Sequence, residues 1–144
     1  MDRSWRIQSD SYLYNHETGA DDGSTSPAQA ITAFIESSQF DIGEGDQFSF
    51  VRKVIPDLTF RDSTAIAPAV NLTLQARNFP GGAYLQTGAS AVTRSAVVPV
   101  EQFTQDANVR LRGRSMSLKV DSSATGVAWR LGAPRIEIRP DGRR

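Results

Sequence analysis

Apolar and polar side chains alternate along much of this 144-residue sequence, and the alternation limits the possible folds more than any other feature. Val70, Leu72 and Leu74 alternate with polar residues, and the segment 116–120 repeats the pattern. Successive side chains of a β-strand point to opposite faces, so residues two apart share one face. The pattern therefore predicts strands over 31–36, 48–55, 70–77, 109–112, 116–120, 127–131 and 136–138.

The spacing of these predicted strands indicates the fold class. Short strands follow one another at intervals of about ten residues, with turn residues such as "DIGEGDQ" and "NFPGG" between them. This arrangement is typical of antiparallel sheets rather than of βαβ units. We therefore predict an all-β fold, either an antiparallel β-sandwich or a propeller-blade-like sheet. Its core is predicted to contain Val70, Leu72, Leu74, Leu118, Val120 and Trp129.

Parity and composition also predict how the strands are connected. The apolar positions change from odd to even numbers around Gly113, which predicts a bulge or kink there. The strands over 116–120, 127–131 and 136–138 follow in succession and predict a meander. Residues 84–103 are small and polar, and they predict a long loop of about twenty residues.

The length is that of a single domain. The segment from Asp2 to Pro27 is polar and shows no sustained period, so we predict an N-terminal arm or linker over 1–28 and an antiparallel β domain over 29–144. Within the arm, residues 5–7 and 12–14 each suit a short strand that docks on another chain. No apolar run approaches the roughly 20 residues that cross a bilayer, and we expect no integral membrane segment.

The residues that most enzymes and metal sites require are scarce. His16 is the single histidine and cysteine is absent, so a His-based metal site, a thiolate site or a histidine triad cannot be assembled within one chain. Asp41, Glu44 and Asp46 lack the spacing of an EF-hand and favour a turn. No phosphate-binding loop, dinucleotide fingerprint or nucleophile elbow is present in the sequence. We therefore expect no enzyme activity, no cofactor and no small-molecule substrate.

The net charge is zero, but the charges are unevenly distributed along the chain. Residues 1–72 carry 5 Lys and Arg against 11 Asp and Glu, a net charge of −6. Residues 73–144 carry 11 against 5, a net charge of +6. Such asymmetry suits contact within one molecule, head-to-tail contacts between subunits, or a basic surface that faces a polyanion. Zero net charge favours the first two over a free-standing nucleic-acid binder.

The basic residues of the second half fall mainly on the outward parity of the predicted strands. We therefore predict a row of neighbouring cationic side chains across one sheet surface. Arginine pairs with carboxylates as readily as with phosphates. No aromatic residues are interleaved on that face in the sequence, which disfavours a base-stacking platform. We favour ion pairs with another protein, with a solvated face or DNA contact as the alternatives, for Arg110, Arg112, Arg114, Lys119, Arg130, Arg135 and Arg139.

Four phrases of the sequence together resemble a known family. They are "ITAFIESSQFDIGEGDQFSFVRKVIPDLTF", "LQARNFPGG", "VRLRGRSMSLKVDS" and "GVAWRLGAPRIEIRPDGRR", and they extend from about Ile31 to Arg144. In this order they resemble the C-terminal region of tailed-bacteriophage virion proteins, with the closest likeness to the tail nozzle, or tail tubular, proteins of short-tailed phages. Those proteins are usually several times longer, so the resemblance is to a terminal module. They form a ring around the channel through which DNA leaves the capsid.

The resemblance implies a structural virion protein of the tail nozzle or head-to-tail passage, assembled in the host cytoplasm. Its implied partners are other phage virion proteins in a ring-forming homo- or hetero-oligomer, with passing contact to phage DNA. The alternatives are a DNA-contacting module that lines the channel through its arginines, and a receptor-binding tail module that uses Trp5, Tyr12, Tyr14 or Tyr84. If Trp129 is buried, its replacement by alanine is expected to cost about 3–5 kcal/mol.

Overall fold

The computed structural model describes residues 5–7, 13–15, 19–79 and 95–142, and every regular element in these segments is a β-strand. The prediction of an all-β fold is confirmed. The fourteen strands are β1 Trp5–Ile7, β2 Leu13–Asn15, β3 Asp21–Asp22, β4 Gln29–Ala30, β5 Ala33–Glu36, β6 Phe40–Asp41, β7 Ser49–Ile55, β8 Leu58–Thr59, β9 Ala69–Arg77, β10 Ser95–Glu101, β11 Ala107–Gly113, β12 Ser115–Ser122, β13 Arg130–Leu131 and β14 Arg135–Pro140.

Five strands form the larger sheet. Its order is β10-β9-β12-β5, and β6 also pairs with β12. All of these pairings are antiparallel, and Leu72 of β9 lies opposite Val120 of β12. Leu74 lies opposite Leu118 in the same register. The alternation read from the sequence thus places one apolar row of each strand on the same face.

Three strands form the second sheet, in the order β11-β7-β14. The central strand β7 pairs antiparallel with both neighbours, and Phe50 lies opposite Arg112 on one side and Arg139 on the other. The register shifts between Asn108 and Leu111 of β11, and also within β14, where both strands pass the middle of β7. Such irregularities increase the local bend and twist of a sheet.

The apolar faces of the two sheets pack against each other. One continuous core cluster contains Val51 and Val54 of the smaller sheet together with Leu72, Leu74 and Met116 of the larger one. The fold is therefore β-sandwich-like. Among the residues predicted for the core, Val70, Leu72, Leu74, Leu118 and Val120 are buried.

Trp129 is half-buried and packs against this cluster rather than inside it. Its indole Nε1 donates a hydrogen bond of 2.9 Å to the hydroxyl of Ser122, which is itself buried. The ring therefore covers one side of the core, with its polar atom satisfied.

The chain passes from one sheet to the other at Gly113. Strand β11 belongs to the three-stranded sheet and β12 to the five-stranded sheet, and Arg114 alone separates them. The backbone N–H of Arg114 donates a hydrogen bond of 2.8 Å to the carbonyl of Arg77, which ties the corner to β9. The apolar parity changes at this point because the two strands face the core from opposite layers.

Two predicted connections are wrong. The strands after Gly113 do not form a meander, because β12 lies in the larger sheet, β13 pairs with β8, and β14 pairs with β7. The prediction of a loop over 84–103 is wrong for residues 95–101, which form β10 and pair with β9. Its Pro99, which suggests a loop in the sequence, is tolerated because β10 lies at the edge of the sheet. Residues 80–94 lie outside the described segments.

Small two-stranded ribbons occupy the predicted arm. Strands β1 and β2 pair with each other, and β3 pairs with β4 across the predicted boundary at residue 28. A carboxylate oxygen of Asp21 accepts a hydrogen bond of 2.7 Å from the backbone N–H of Gly126, which attaches this ribbon to the domain. The pKa of Asp22 is lowered from 3.8, chiefly because the backbone N–H of Ser24 donates to its carboxylate.

His16, Tyr12 and Tyr84 lie outside the described residues. None of the described segments forms a helix with the length and apolar character needed to cross a membrane.

Candidate functional site

The outer face of the three-stranded sheet carries an open depression of about 900 Å³. Each of the three strands contributes an arginine to its lining, Arg52 from β7, Arg110 from β11 and Arg139 from β14. Phe50 also lines it, and we call this surface the arginine depression. Its full lining is Phe50, Arg52, Asn108, Val109, Arg110 and Arg139.

The pairing of the strands explains why these side chains meet. Phe50 and Arg52 are two residues apart on β7, so the pleat directs both away from the core side occupied by Val51. Arg139 lies directly opposite Phe50 in the register, and Arg110 lies in the irregular part of β11 that passes Arg52. A central strand flanked on both sides therefore gathers cations that are far apart in sequence.

The charge of the depression is incompletely balanced by the protein itself. Neither Arg52 nor Arg110 forms an ion pair with any carboxylate in the described part of the chain, and both are exposed. Arg139 approaches Glu137 at 3.8 Å, and their side chains are 63% and 42% exposed. Exposed pairs of this kind contribute about 0–1 kcal/mol. The surface is consequently positive and contains no acidic residue in its lining.

Arg112 and Arg114 have a different environment at one end of the same sheet. Their guanidinium carbons lie 4.0 Å and 4.6 Å from the centroid of the Phe48 ring. Phe48 is buried, and Arg112 also forms an ion pair through its Nε with Asp141. Cation–π contacts of partly buried groups are worth about 0.5–2 kcal/mol. These two arginines therefore stabilise the fold at the sheet end.

The remaining predicted cations lie elsewhere, so the prediction of a single basic row is wrong. Lys119 lies on the larger sheet, 5.3 Å from the Phe34 ring centroid and 3.9 Å from Asp121. Arg130 pairs with Asp62 at 3.3 Å in an exposed position. Arg135 is exposed at the first residue of β14 and does not line the depression. The structure brings together only Arg110 and Arg139 of the predicted set in the depression.

Four of the six residues that line the depression are not singled out by the sequence: Phe50, Arg52, Asn108 and Val109. The expectation that the basic face lacks aromatic residues is wrong, because Phe50 lies within the depression and Phe48 lies against two arginines. Phe50 lies on β7 and Phe48 directly precedes this strand, about sixty residues before β11 in sequence. The alternation of Phe50 and Arg52 with the buried Val51 indicates that both point outward, but alternation does not identify the neighbours of β7.

The fold and this surface define the class of protein: a β-sandwich-like domain with a cationic, aromatic-containing sheet face. No cluster of three His, Cys, Asp or Glu residues that could hold a metal ion occurs in the described segments. The sequence matches no protein-family model, and no curated protein matches it. The resemblance to phage nozzle proteins therefore stays a prediction.

Proposed function

We propose that this chain is a non-enzymatic structural module of a tailed-phage virion, located in the tail nozzle or head-to-tail passage. It works by stable association with other virion proteins, as a subunit of a ring-forming assembly. The four sequence phrases that resemble nozzle proteins support the virion assignment. The β-sandwich-like fold is compatible with it, because nozzle proteins contain β-sandwich parts.

The observation that supports association with another chain is that β5 is an edge strand with exposed apolar residues. This edge strand pairs with β12 and with no second strand among the described residues. Phe34 and Ile35 point to opposite faces of it, and they are 65% and 51% exposed. An open strand edge with large apolar residues on both faces is a template for pairing with another chain.

Exposed apolar residues in two loops support the same proposal. Ile66 is fully exposed between β8 and β9, and Phe103 is 87% exposed between β10 and β11. Large apolar side chains left in water are typical of surfaces that become covered in an assembly. Strand pairing at β5 and contacts of these loops would together hold the module in place.

The test is to measure whether the chain is a stoichiometric part of purified particles. Particles of the phage that encodes it are purified by gradient centrifugation, washed at about 1 M NaCl to screen loose charge contacts, and analysed by quantitative mass spectrometry. We expect a constant ratio of this chain to the capsid protein. Antibody labelling is expected to place it at the tail.

The control is an abundant host protein, followed through the same gradient and wash. If the chain is depleted to the level of that host protein, the proposal is wrong. A chain that is retained but labels the capsid shell would contradict the tail assignment only.

A further inference from the structure

We propose that the arginine depression is a binding site for single-stranded nucleic acid. Its arginines would hold backbone phosphates, and a base would stack on Phe50. This inference goes beyond the protein–protein association proposed above. It rests on the sheet face alone, so it stands or fails separately from the virion role.

The local charge supports an anionic ligand even though the whole chain is neutral. The acidic residues that balance the net charge lie outside the depression, and several are already paired, as Asp106 is with Lys53 and Asp62 with Arg130. Arg52 and Arg110 keep exposed guanidinium groups beside Arg139. Guanidinium groups bind phosphate in bidentate fashion, so three of them on one surface suit two or three successive phosphates.

The aromatic residue distinguishes this surface from a merely basic one. Phe50 is half-buried in the depression, so it is held in place by packing while part of its surface remains accessible. A base presents a flat π-face to such a ring, and stacking of this kind accepts any base. Asn108, also in the lining and exposed, supplies an amide that can donate to and accept from a base edge.

The same features favour a single strand over the other polyanions. Duplex nucleic acid keeps its base faces stacked inside the helix, where Phe50 cannot reach them. An acidic protein segment would neutralise the arginines but would give the ring no planar partner. The volume of about 900 Å³ lies within the range of about 300–1,000 Å³ that is usual for small-ligand sites, which is enough for a nucleotide unit.

The experiment is fluorescence anisotropy with the full chain and a labelled oligothymidylate of about 15 nucleotides. The titration is repeated between about 50 mM and 200 mM NaCl, where the affinity for single strands falls by a slope of about −0.7 per neutralised phosphate on a log–log plot. Three arginines predict a slope of about −2. An unlabelled duplex and a polyglutamate peptide are tested as competitors, and we expect both to compete poorly.

The variants separate phosphate contacts from stacking. Arg52→Gln and Arg110→Gln should each reduce the magnitude of the slope by about 0.7. Phe50→Leu should leave the slope unchanged and weaken binding by about 5- to 150-fold. Arg135→Gln is the matched control, because this arginine is exposed on the same sheet outside the depression, and binding should not change.

Thermal unfolding of Phe50→Leu is measured alongside, and Phe50→Tyr, which keeps an aromatic ring, should retain binding. Any of four results overturns the proposal. They are no binding at the lowest salt, a loss of affinity in Arg135→Gln equal to that in Arg52→Gln or Arg110→Gln, efficient competition by polyglutamate, and binding of duplex that Phe50→Leu does not change. None of these results bears on whether the chain is found in particles.

Discussion

At the scale of single residues, the corner at Gly113 depends on the absence of a side chain. A Cβ at this position would lie 2.6 Å from the Cβ of Ala76 and 3.0 Å from the carbonyl oxygen of Arg77. Both neighbours belong to β9, whose backbone also accepts the hydrogen bond from Arg114. Glycine is therefore required here by the close approach of β9 to the corner rather than by its backbone dihedral angles.

Replacing Gly113 by alanine should destabilise the protein by about 1–3 kcal/mol, the usual cost of forcing an extra methyl group into packed structure. Urea denaturation monitored by tryptophan fluorescence would measure this change. Gly23→Ala is the matched control, because a Cβ there meets nothing within 4 Å. The steric explanation also predicts that Ala76→Gly recovers part of the loss in the Gly113→Ala background, and an unchanged loss would contradict it.

Trp129 offers a second residue-scale test through its hydrogen bond to Ser122. Trp129→Phe removes the donor while keeping an aromatic ring, and it should cost about 0.5–1.5 kcal/mol. Ser122→Ala should cost a similar amount, because the indole N–H then loses its partner. The double variant should be less destabilised than the sum of the two, and strict additivity in a double-mutant cycle would show that the bond contributes nothing.

At the scale of strands, β9 is the centre of the larger sheet, with β10 on one side and β12 on the other. Leu72 of β9 is completely buried in the core cluster. Leu72→Ala should therefore cost about 2–5 kcal/mol in free energy of unfolding. Val97→Ala on β10 is the comparison, since Val97 is 60% exposed on the outer face, and its cost should stay within about 0.5 kcal/mol. Equal costs in chemical denaturation would contradict the assignment of the inner face.

The strands show which parts of the fold the sequence could predict. Alternation alone predicts β9 well, because its even-numbered residues from Val70 to Ala76 are all buried against the core. The burial is less regular in β7, where Val51 and Val54 are both buried, and in β12, where residues 115–118 are all buried. Alternation was not sufficient for β10, where Pro99 and small residues suggested a loop. The pairing of the strands also cannot be predicted from alternation, because alternation indicates which face of a strand is buried and not which strand lies next to it. For the same reason the sequence predicts only part of the candidate site. It indicates Arg110 and Arg139, but it does not indicate that Phe50 and Arg52 of β7 lie beside them.

At the scale of the whole molecule, the exposed edge strand β5 should matter for assembly and not for folding. A double variant Phe34→Ser with Ile35→Ser changes exposed residues, so its free energy of unfolding should fall by no more than about 0.5 kcal/mol per substitution. The fraction of this double variant that binds to purified particles should be much lower than that of the unmodified protein. Val97→Ser, on the opposite edge strand β10, is the control and should remain bound. If the unmodified protein, the double variant and Val97→Ser bind to particles equally well, β5 is not the contact.

The order in which the strands pair has a consequence for biosynthesis. Strand β7 acquires its partners only when β11 and then β14 have been made, so one layer of the sandwich waits for residues 107–113 and 135–140 to leave the ribosome. Until then the hydrogen-bonding groups and the valines of β7 have no partner from their own sheet. The nascent chain should therefore be most vulnerable to proteases and to chaperone capture during that interval. Chains stalled with residues 135–140 still inside the ribosome should be less protease-resistant than chains stalled on an added C-terminal linker that holds these residues outside it.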